Sequence, residues 1–390
     1  DTVPDQFLRG ALILEDGRIF RGEPFGALVD AEGEAVFNTT MTGYQEVSTD
    51  PSFYGQIVCM TYPLIGNYGV TPDDDQSRRP WIAGMIVREY CDEPENWRSH
   101  GTFASYLQEH GIPALHSVDT RALTRHIRSH GDMRALLVSD AAGQSDDDLR
   151  ERARHAWAPG DVNVIKDVSI DEERDIRAEG PLHLALIDCG VKENIIRSLH
   201  RRGVEVTVVP YDTPAADILA LGVDGILTSP GPGDPVNTGD AVDAIRTIVA
   251  SGIPYMGVCM GHQLLALAVG ASTNKLKFGH RGGNHPVKDL ATGAVYITSQ
   301  NHGYQVDAAS VPTEQGWRVS QVNLNDGSVE GLEHATLPIF SIQYHPEGSP
   351  GPQDNQYLFD RFIENVRRYR TARISRHNGA LAAAAELQER

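Results

Sequence analysis

Leu182-His183-Leu184-Ala185-Leu186-Ile187-Asp188-Cys189 decides the fold. A near-continuous apolar run of this length reads as a parallel strand buried on both faces, since a half-exposed antiparallel strand would alternate apolar and polar residues. The pattern then repeats downstream. Residues 193–202 read as a helix, 204–209 as a strand, 214–221 as a short helix and 225–229 as a strand. A helix over 240–251, a strand over 254–258 and a helix over 261–269 continue the alternation. Strands and helices alternating at this spacing predict an α/β domain on a doubly wound, mostly parallel sheet. Later strands are expected at 295–298, 317–322 and 339–344, with a closing helix near 357–369.

Outward from this block the composition changes. Residues 146–181 are strongly charged and poor in apolar side chains, which predicts a short helix and a linker. Residues 1–145 mix short strand-like runs (10–14, 56–61, 81–87, 135–138) with many Gly and Pro turns and two helical stretches, 103–110 and 120–130. A separate N-terminal mixed β/α domain is expected there. The α/β domain then spans 182–371, and an Ala-rich tail fills 372–390. A length of 390 residues fits two domains.

Charge and cysteine usage narrow the function classes. A formal net charge of −19 argues against nucleic acid or an anionic membrane as the main partner. The four cysteines lie far apart with no Cys-x-x-Cys pair, so a reducing compartment fits better than a disulfide framework. The apolar stretch 7–14 is broken by Arg9 and does not read as a signal peptide. No apolar run approaches the ~20 residues of a membrane span.

The chemistry gathers at Gly257-Val258-Cys259-Met260-Gly261, between an apolar strand and a helix. That is the context of a nucleophile elbow with Cys in place of Ser. The turn is tight, and side chains at the two glycine positions would meet neighbouring backbone. A helix N-terminus favours the thiolate, which is the reactive form of cysteine. Most free cysteines are only small buried hydrophobes; the flanking glycines shift the reading to a nucleophile.

Such a nucleophile needs a base, and the base needs an orienting group. Tyr344-His345-Pro346-Glu347 offers both at a strand end, with His345 and Glu347 on one face of an extended segment. His262 forms a Cys-x-x-His with Cys259, but no second ligand pair at zinc-like spacing exists and no metal is expected. His280, His285 and His302 are expected to make structural polar contacts. The loop Ser229-Pro230-Gly231-Pro232-Gly233-Asp234-Pro235 lacks the Lys and Ser/Thr of a P-loop. It reads as a rigid turn that presents backbone N–H groups to an oxyanion, or simply as a stiff turn.

Taken together, Pro-Gly-Pro-Gly-Asp-Pro, Gly-Val-Cys-Met-Gly-His-Gln and His-Pro-Glu, in this order, resemble the class I (triad) glutamine amidotransferases. The resemblance covers roughly residues 182–369. It implies a flavodoxin-like sheet and glutamine hydrolysis through a thioester, with Cys259, His345 and Glu347 matching the family's triad. It also implies an oxyanion hole from the N–H groups of Gly231 and Met260, and L-glutamine contacts at Gly233, Gln263, Asn301, Gly303 and Tyr304. Met260 and Tyr304 stand where many relatives have Leu and Phe.

The N-terminal zone is more specific. Phe37-Asn38-Thr39-Thr40-Met41-Thr42-Gly43-Tyr44-Gln45-Glu46, Thr49-Asp50-Pro51-Ser52 and Thr61-Tyr62-Pro63-Leu64-Ile65-Gly66-Asn67-Tyr68-Gly69 resemble the N-terminal domain of carbamoyl-phosphate synthetase small subunits. The segments Lys277-Phe278-Gly279-His280 and Asn284-His285-Pro286 are similar to that subfamily too. The resemblance implies a large synthetase subunit as partner, in a heterodimer or a higher assembly of heterodimers. ATP, Mg and bicarbonate belong on that subunit, with no cofactor in this chain. It also implies Ser52 near the bound glutamine, a cytoplasmic or plastid-stromal location, and a product that feeds pyrimidine or arginine synthesis. Two alternatives remain beside it: a γ-glutamyl cysteine hydrolase on the same fold, and a catalytically silent regulatory subunit.

Overall fold

The computed structural model describes the backbone of residues 9–388 and side chains up to residue 376. The deciding run forms the strand Leu182–Asp188, inside a ten-stranded sheet. The parallel part runs Val204–Pro210, Leu182–Asp188, Gly225–Thr228, Tyr255–Val258, Ile339–Ile342. In chain order that is 2-1-3-4-5, the flavodoxin-like doubly wound arrangement. Both faces of the run are covered, as its composition requires. Ala185 and Ile187 pack with residues of the helices Gly239–Ser251 and Met260–Ala268. Leu184 and Leu186 pack with the helices Glu193–His200 and Tyr357–Gln388. From the last of these, Phe359 and Phe362 are fully buried, each contributing ~1.5–3 kcal/mol.

Beyond Ile339–Ile342 the sheet turns antiparallel through Val329–His334, Trp317–Asn323, Thr273–Asp289 and Val295–Val306. The Gly-rich stretch 277–286 lies inside the strand Thr273–Asp289, where two register shifts accommodate it. At the opposite edge, Arg174–Ile176 pairs antiparallel with Val204–Pro210. The charged stretch 146–181 is therefore more than a tether, because it adds an edge strand. The closing helix Tyr357–Gln388 also runs on through the Ala-rich stretch.

The N-terminal strands close into a barrel. Round the barrel they run Gly10–Leu14, Ile19–Gly26, Pro113–His116, Gly84–Ile86, Gln56–Met60, Ala31–Asn38, Met133–Val138. One apolar cluster takes Leu12, Phe20, Leu115, Ile86, Ile57, Phe37 and Leu137, a residue from every strand, and so forms the interior. Leu123 and Ile127 of the helix Thr120–His130 join that cluster. Alternate residues such as Val58 and Met60 face outward, against Tyr44, Phe103 and Leu107. On another side, Leu149 and Ala153 of the helix Asp146–Arg154 cover Ala11 and Ile13. Among the described residues no helix is long and apolar enough to cross a membrane.

Polar contacts join barrel and sheet. Arg281 and Asp132 form a buried ion pair at 2.9 Å, and Lys275 reaches Glu34 at 2.7 Å. Asn301 Nδ2 donates to Asp50 Oδ2 at 3.1 Å.

Candidate active site

Cys259 sits between the strand Tyr255–Val258 and the helix Met260–Ala268, with φ 51° and ψ −101°. A non-glycine residue in such a conformation costs ~1–3 kcal/mol and persists only where its surroundings hold it. Here they do. A Cβ on Gly257 would lie 2.4 Å from the Gly261 carbonyl oxygen, and one on Gly261 would lie 2.4 Å from that of Thr228. Only glycine lets the turn close. Met260 opens the helix, so its N–H has no carbonyl one turn back, and the positive end of the helix dipole faces the sulfur.

The strand Ile339–Ile342 lies beside the elbow strand and delivers His345 and Glu347 just past its end. His345 Nδ1 and Glu347 Oε1 are 2.8 Å apart, with both side chains buried. His345 Nε2, the other ring nitrogen, has no hydrogen-bond partner among the described residues. Burial works against the imidazolium, but the Glu347 carboxylate outweighs it and holds His345 well above the usual histidine range. Glu347 is held below the usual carboxylate range. Burial opposes this, and the charges of Lys192 and His345 overcome it.

Lys192 escaped the sequence reading. It follows the strand Leu182–Asp188 and is itself buried, with Nζ 2.9 Å from Glu347 Oε1 and 2.7 Å from the Gly348 carbonyl. Its position past the carboxyl end of a parallel strand, where ligand sites of open α/β sheets lie, was the available signal. Asn194 Nδ2 donates to the Glu347 carbonyl at 2.5 Å. Gln343 was also missed. Fully buried, it donates from Nε2 to Cys259 Sγ at 3.6 Å, while its Oε1 accepts from Gln263 Nε2 at 3.1 Å. The thiol of Cys259 donates to the Asn301 carbonyl at 3.5 Å.

One cavity is lined by Cys259, Gly231, Gly233, Gln263, Asn301, Gly303, Tyr304 and Ser52. Met260, His345 and Glu347 are buried and do not line it. Gly231 packs its backbone on Cys189, where a Cβ would fall 2.3 Å from the carbonyl oxygen. Gly233 has a φ of 85°, in the left-handed region. Gln263 Nε2 also reaches the Tyr304 carbonyl at 3.0 Å. Ser52 enters from the barrel side on the short turn Pro51–Phe53, which Asp50 caps by accepting from the Ser52 N–H. The Ser52 hydroxyl is buried and unpartnered among the described residues. Pro159 and Gly160, from the charged stretch, complete part of the wall.

The other histidines make separate contacts. His262 Nδ1 meets Ser341 Oγ at 2.8 Å, and burial pushes its pKa down to about 3. His280, His302 and Glu330 bring potential metal-ligand atoms within 4.8 Å of one another. Both ring nitrogens of His302 are already engaged, with Tyr304 O at 2.7 Å and Gln300 Oε1 at 2.9 Å. Glu330 accepts from Asn323 at 2.8 Å and from Gln300 at 2.9 Å. The three residues form part of a hydrogen-bonded network in which His280 Nδ1 is buried and has no hydrogen-bond partner among the described residues.

Residues 185–365 match the glutamine amidotransferase class-I family, and residues 12–137 match the carbamoyl-phosphate synthase small chain, CPSase domain. The carbamoyl phosphate synthase small chain of Symbiobacterium thermophilum is 50% identical, over 91% of this chain and 98% of that protein. The pyrimidine-specific small chain of Bacillus subtilis is 48% identical, over 92% and 96%. The small chain of Archaeoglobus fulgidus is 46% identical, over 93% and 100%. A barrel and an amidotransferase sheet meeting at one cavity, in a chain matched over more than nine-tenths of its length at such identity, place it in the carbamoyl phosphate synthase small chain family.

Proposed function

We propose that this chain is the glutamine-hydrolysing subunit of a carbamoyl phosphate synthase, in which Cys259 attacks the side-chain amide of L-glutamine. The observation that carries the reading is the strained Cys259 at a helix N-terminus beside the buried His345–Glu347 pair. His345 takes the Cys259 thiol proton as the sulfur attacks; the thioester forms as the amide C–N bond breaks, and His345 gives that proton to the leaving nitrogen, which departs as ammonia. Water, activated by the same imidazole, then releases glutamate. Glu347 holds the ring and stabilises its charged form, and Lys192 holds Glu347.

In this reading the N–H groups of Gly231 and Met260 stabilise the tetrahedral oxyanion. The α-amino and α-carboxylate ends of glutamine lie among Gly233, Gln263, Asn301, Gly303, Tyr304 and Ser52. The division of labour follows the chain: residues 182–371 carry the hydrolysis, and residues 1–145 with the stretch 146–181 wall the site and face the partner. Ammonia passes to a large synthetase subunit, which binds ATP, Mg and bicarbonate and makes carbamoyl phosphate in the cytoplasm.

The test is Cys259→Ser in the assembled complex. Glutamine-dependent synthesis is expected to vanish while synthesis from added ammonia persists. Equal loss of both activities would refute this assignment of roles. A glutaminase assay on the purified wild-type chain separates it from a silent subunit, and activity on γ-glutamyl peptides without any synthetase partner would favour the hydrolase.

A further inference from the structure

The helix Thr120–His130 carries Arg121, Arg125 and Arg128 on its exposed side and buries Leu123 and Ile127 in the barrel core. Among the described residues none of these arginines makes an ion pair or a side-chain hydrogen bond. Many other surface arginines hold carboxylates, as in Arg134–Asp161, Arg152–Asp30 and Arg202–Asp360, and the exposed ones that do not, such as Arg88 and Arg367, are not grouped three on one helix face. In a chain of net charge −19, acidic partners were available.

The arrangement also works against the helix. Arg121 and Arg125 are like charges at i,i+4, Arg125 and Arg128 at i,i+3, and both spacings destabilise. Arg121 lies in the first turn, at the positive end of the dipole, where a cation is disfavoured. The helix is held instead by its buried face and by Asp119, whose carboxylate accepts from the Ala122 N–H at 2.9 Å. A solvated face would need no such run of uncompensated cations.

The surface beside them is concave. One cavity of about 380 Å³ is lined by Thr61, Thr120, Thr124 and the three arginines. A second, of about 660 Å³, shares Thr124 and Arg128 and continues to Phe278, His280 and Arg281. The carboxylate lining it, Asp326, is bound to His280 at 2.9 Å and to Ser328 at 2.7 Å. From Arg121 to Arg128 the helix rises about 10 Å. That spread is too wide for one phosphate group and suits several carboxylates in a row, which guanidinium forks bind two oxygens at a time.

We propose that this groove is the docking site for an acidic segment of the synthetase partner. The inference rests on the reading that the chain works with such a partner. The groove also adjoins the glutamine site, because Arg281 lines both cavities and pairs with Asp132, two residues past the helix. A partner seated there touches the wall of the cavity whose ammonia it consumes.

The test replaces all three arginines, as Arg121→Glu, Arg125→Glu and Arg128→Glu together, with the Gln triple as a milder set. All three side chains are exposed, and thermal unfolding checks that the fold is kept. Purified synthetase subunit is titrated into wild-type and variant chains at low and high salt. Wild-type affinity is expected to fall with salt, and the Glu triple to bind ~30-fold weaker or worse at low salt with a flatter salt response. Basal glutaminase of the isolated chain should not change. Binding within about two-fold of wild type would overturn the groove assignment. So would loss of basal glutaminase, or inorganic phosphate binding that the variants abolish while partner affinity stands. If the wild-type chain binds no synthetase subunit at all, the functional reading itself fails.

Discussion

Lys192→Met tests whether the ammonium beside Glu347 holds the proposed site together. Lys192 Nζ lies 2.9 Å from Glu347 Oε1 and 2.7 Å from the Gly348 carbonyl, with side-chain exposures of 2% and 0% for the ion pair. Methionine keeps the apolar stem and removes the charge, leaving the carboxylate buried with His345 as its remaining charged neighbour. Breaking a buried pair in this way costs ~3–5 kcal/mol. The pH dependence is signed. Glu347 has a depressed pKa, so its contribution is present above the unfolded value and fades as the pH falls toward the folded one. Lys192 has a raised pKa: burial lowers it and Glu347 more than restores it. Its contribution is therefore present below the unfolded value and is lost on the alkaline side. The gap between wild type and variant should be widest between ~4.3 and ~10.4 and close beyond either end. Urea unfolding followed by tryptophan fluorescence across that range measures it. A gap under ~1 kcal/mol at neutral pH, or one independent of pH, would refute the reasoning.

His345→Asn should lower kcat for glutamine hydrolysis by ~10²–10⁴, since it removes the proposed proton carrier, and Glu347→Ala should cost less. Steady-state glutaminase assays decide it, and near-wild-type turnover in the His345 variant would return the base to another residue. Ser52→Ala removes the unpartnered hydroxyl in the cavity wall; kcat/KM should fall roughly ten- to 150-fold, mostly through KM. An unchanged KM would make Ser52 a turn residue only. Gln343→Leu removes the amide that donates to the sulfur; here kcat should fall roughly ten- to 150-fold with little change in KM. A loss confined to KM would show that Gln343 acts through Gln263 alone.

The parallel half of the sheet was legible because its strands are apolar runs with helices of fixed spacing between them. The elbow was legible because the glycines at 257 and 261 have no substitute there. Other elements gave no such signal. The long strand Thr273–Asp289 carries Gly279, Gly282 and Gly283, and its two register shifts break the two-residue period that would have marked it. Arg174–Ile176 pairs at the edge with exposed or half-buried residues, so nothing apolar flags it. Barrel closure depends on which strand meets which, and that information lies in long-range pairing rather than local pattern. At the site, residue types that make covalent chemistry stood out. Lys192 and Gln343 did not, because a lysine or glutamine in a loop or strand looks like surface until the carboxylate or sulfur it faces is known.

The barrel is part of this site rather than an appendage. Asp50 ties its turn down by accepting from the Ser52 N–H at 2.9 Å, and its other oxygen accepts from Asn301 Nδ2 at 3.1 Å. Asn301 in turn accepts the Cys259 thiol at 3.5 Å. Barrel turn, antiparallel strand and Cys259 are thus linked through the Asp50 carboxylate and two separate groups of Asn301, its side-chain amide and its backbone carbonyl. A shift of the barrel would break the Asp50–Asn301 side-chain bond, while the Asn301 backbone carbonyl that accepts the thiol stays on a strand paired at Arg281. The buried Arg281–Asp132 pair resists such a shift, since leaving either charge unpaired costs several kcal/mol. Asp132 lies just past the arginine-bearing helix, so force applied to that helix reaches the same pair. Displacing the barrel therefore costs a buried ion pair and the Asp50–Asn301 bond together, which fixes the Ser52 turn against the cavity that holds Cys259.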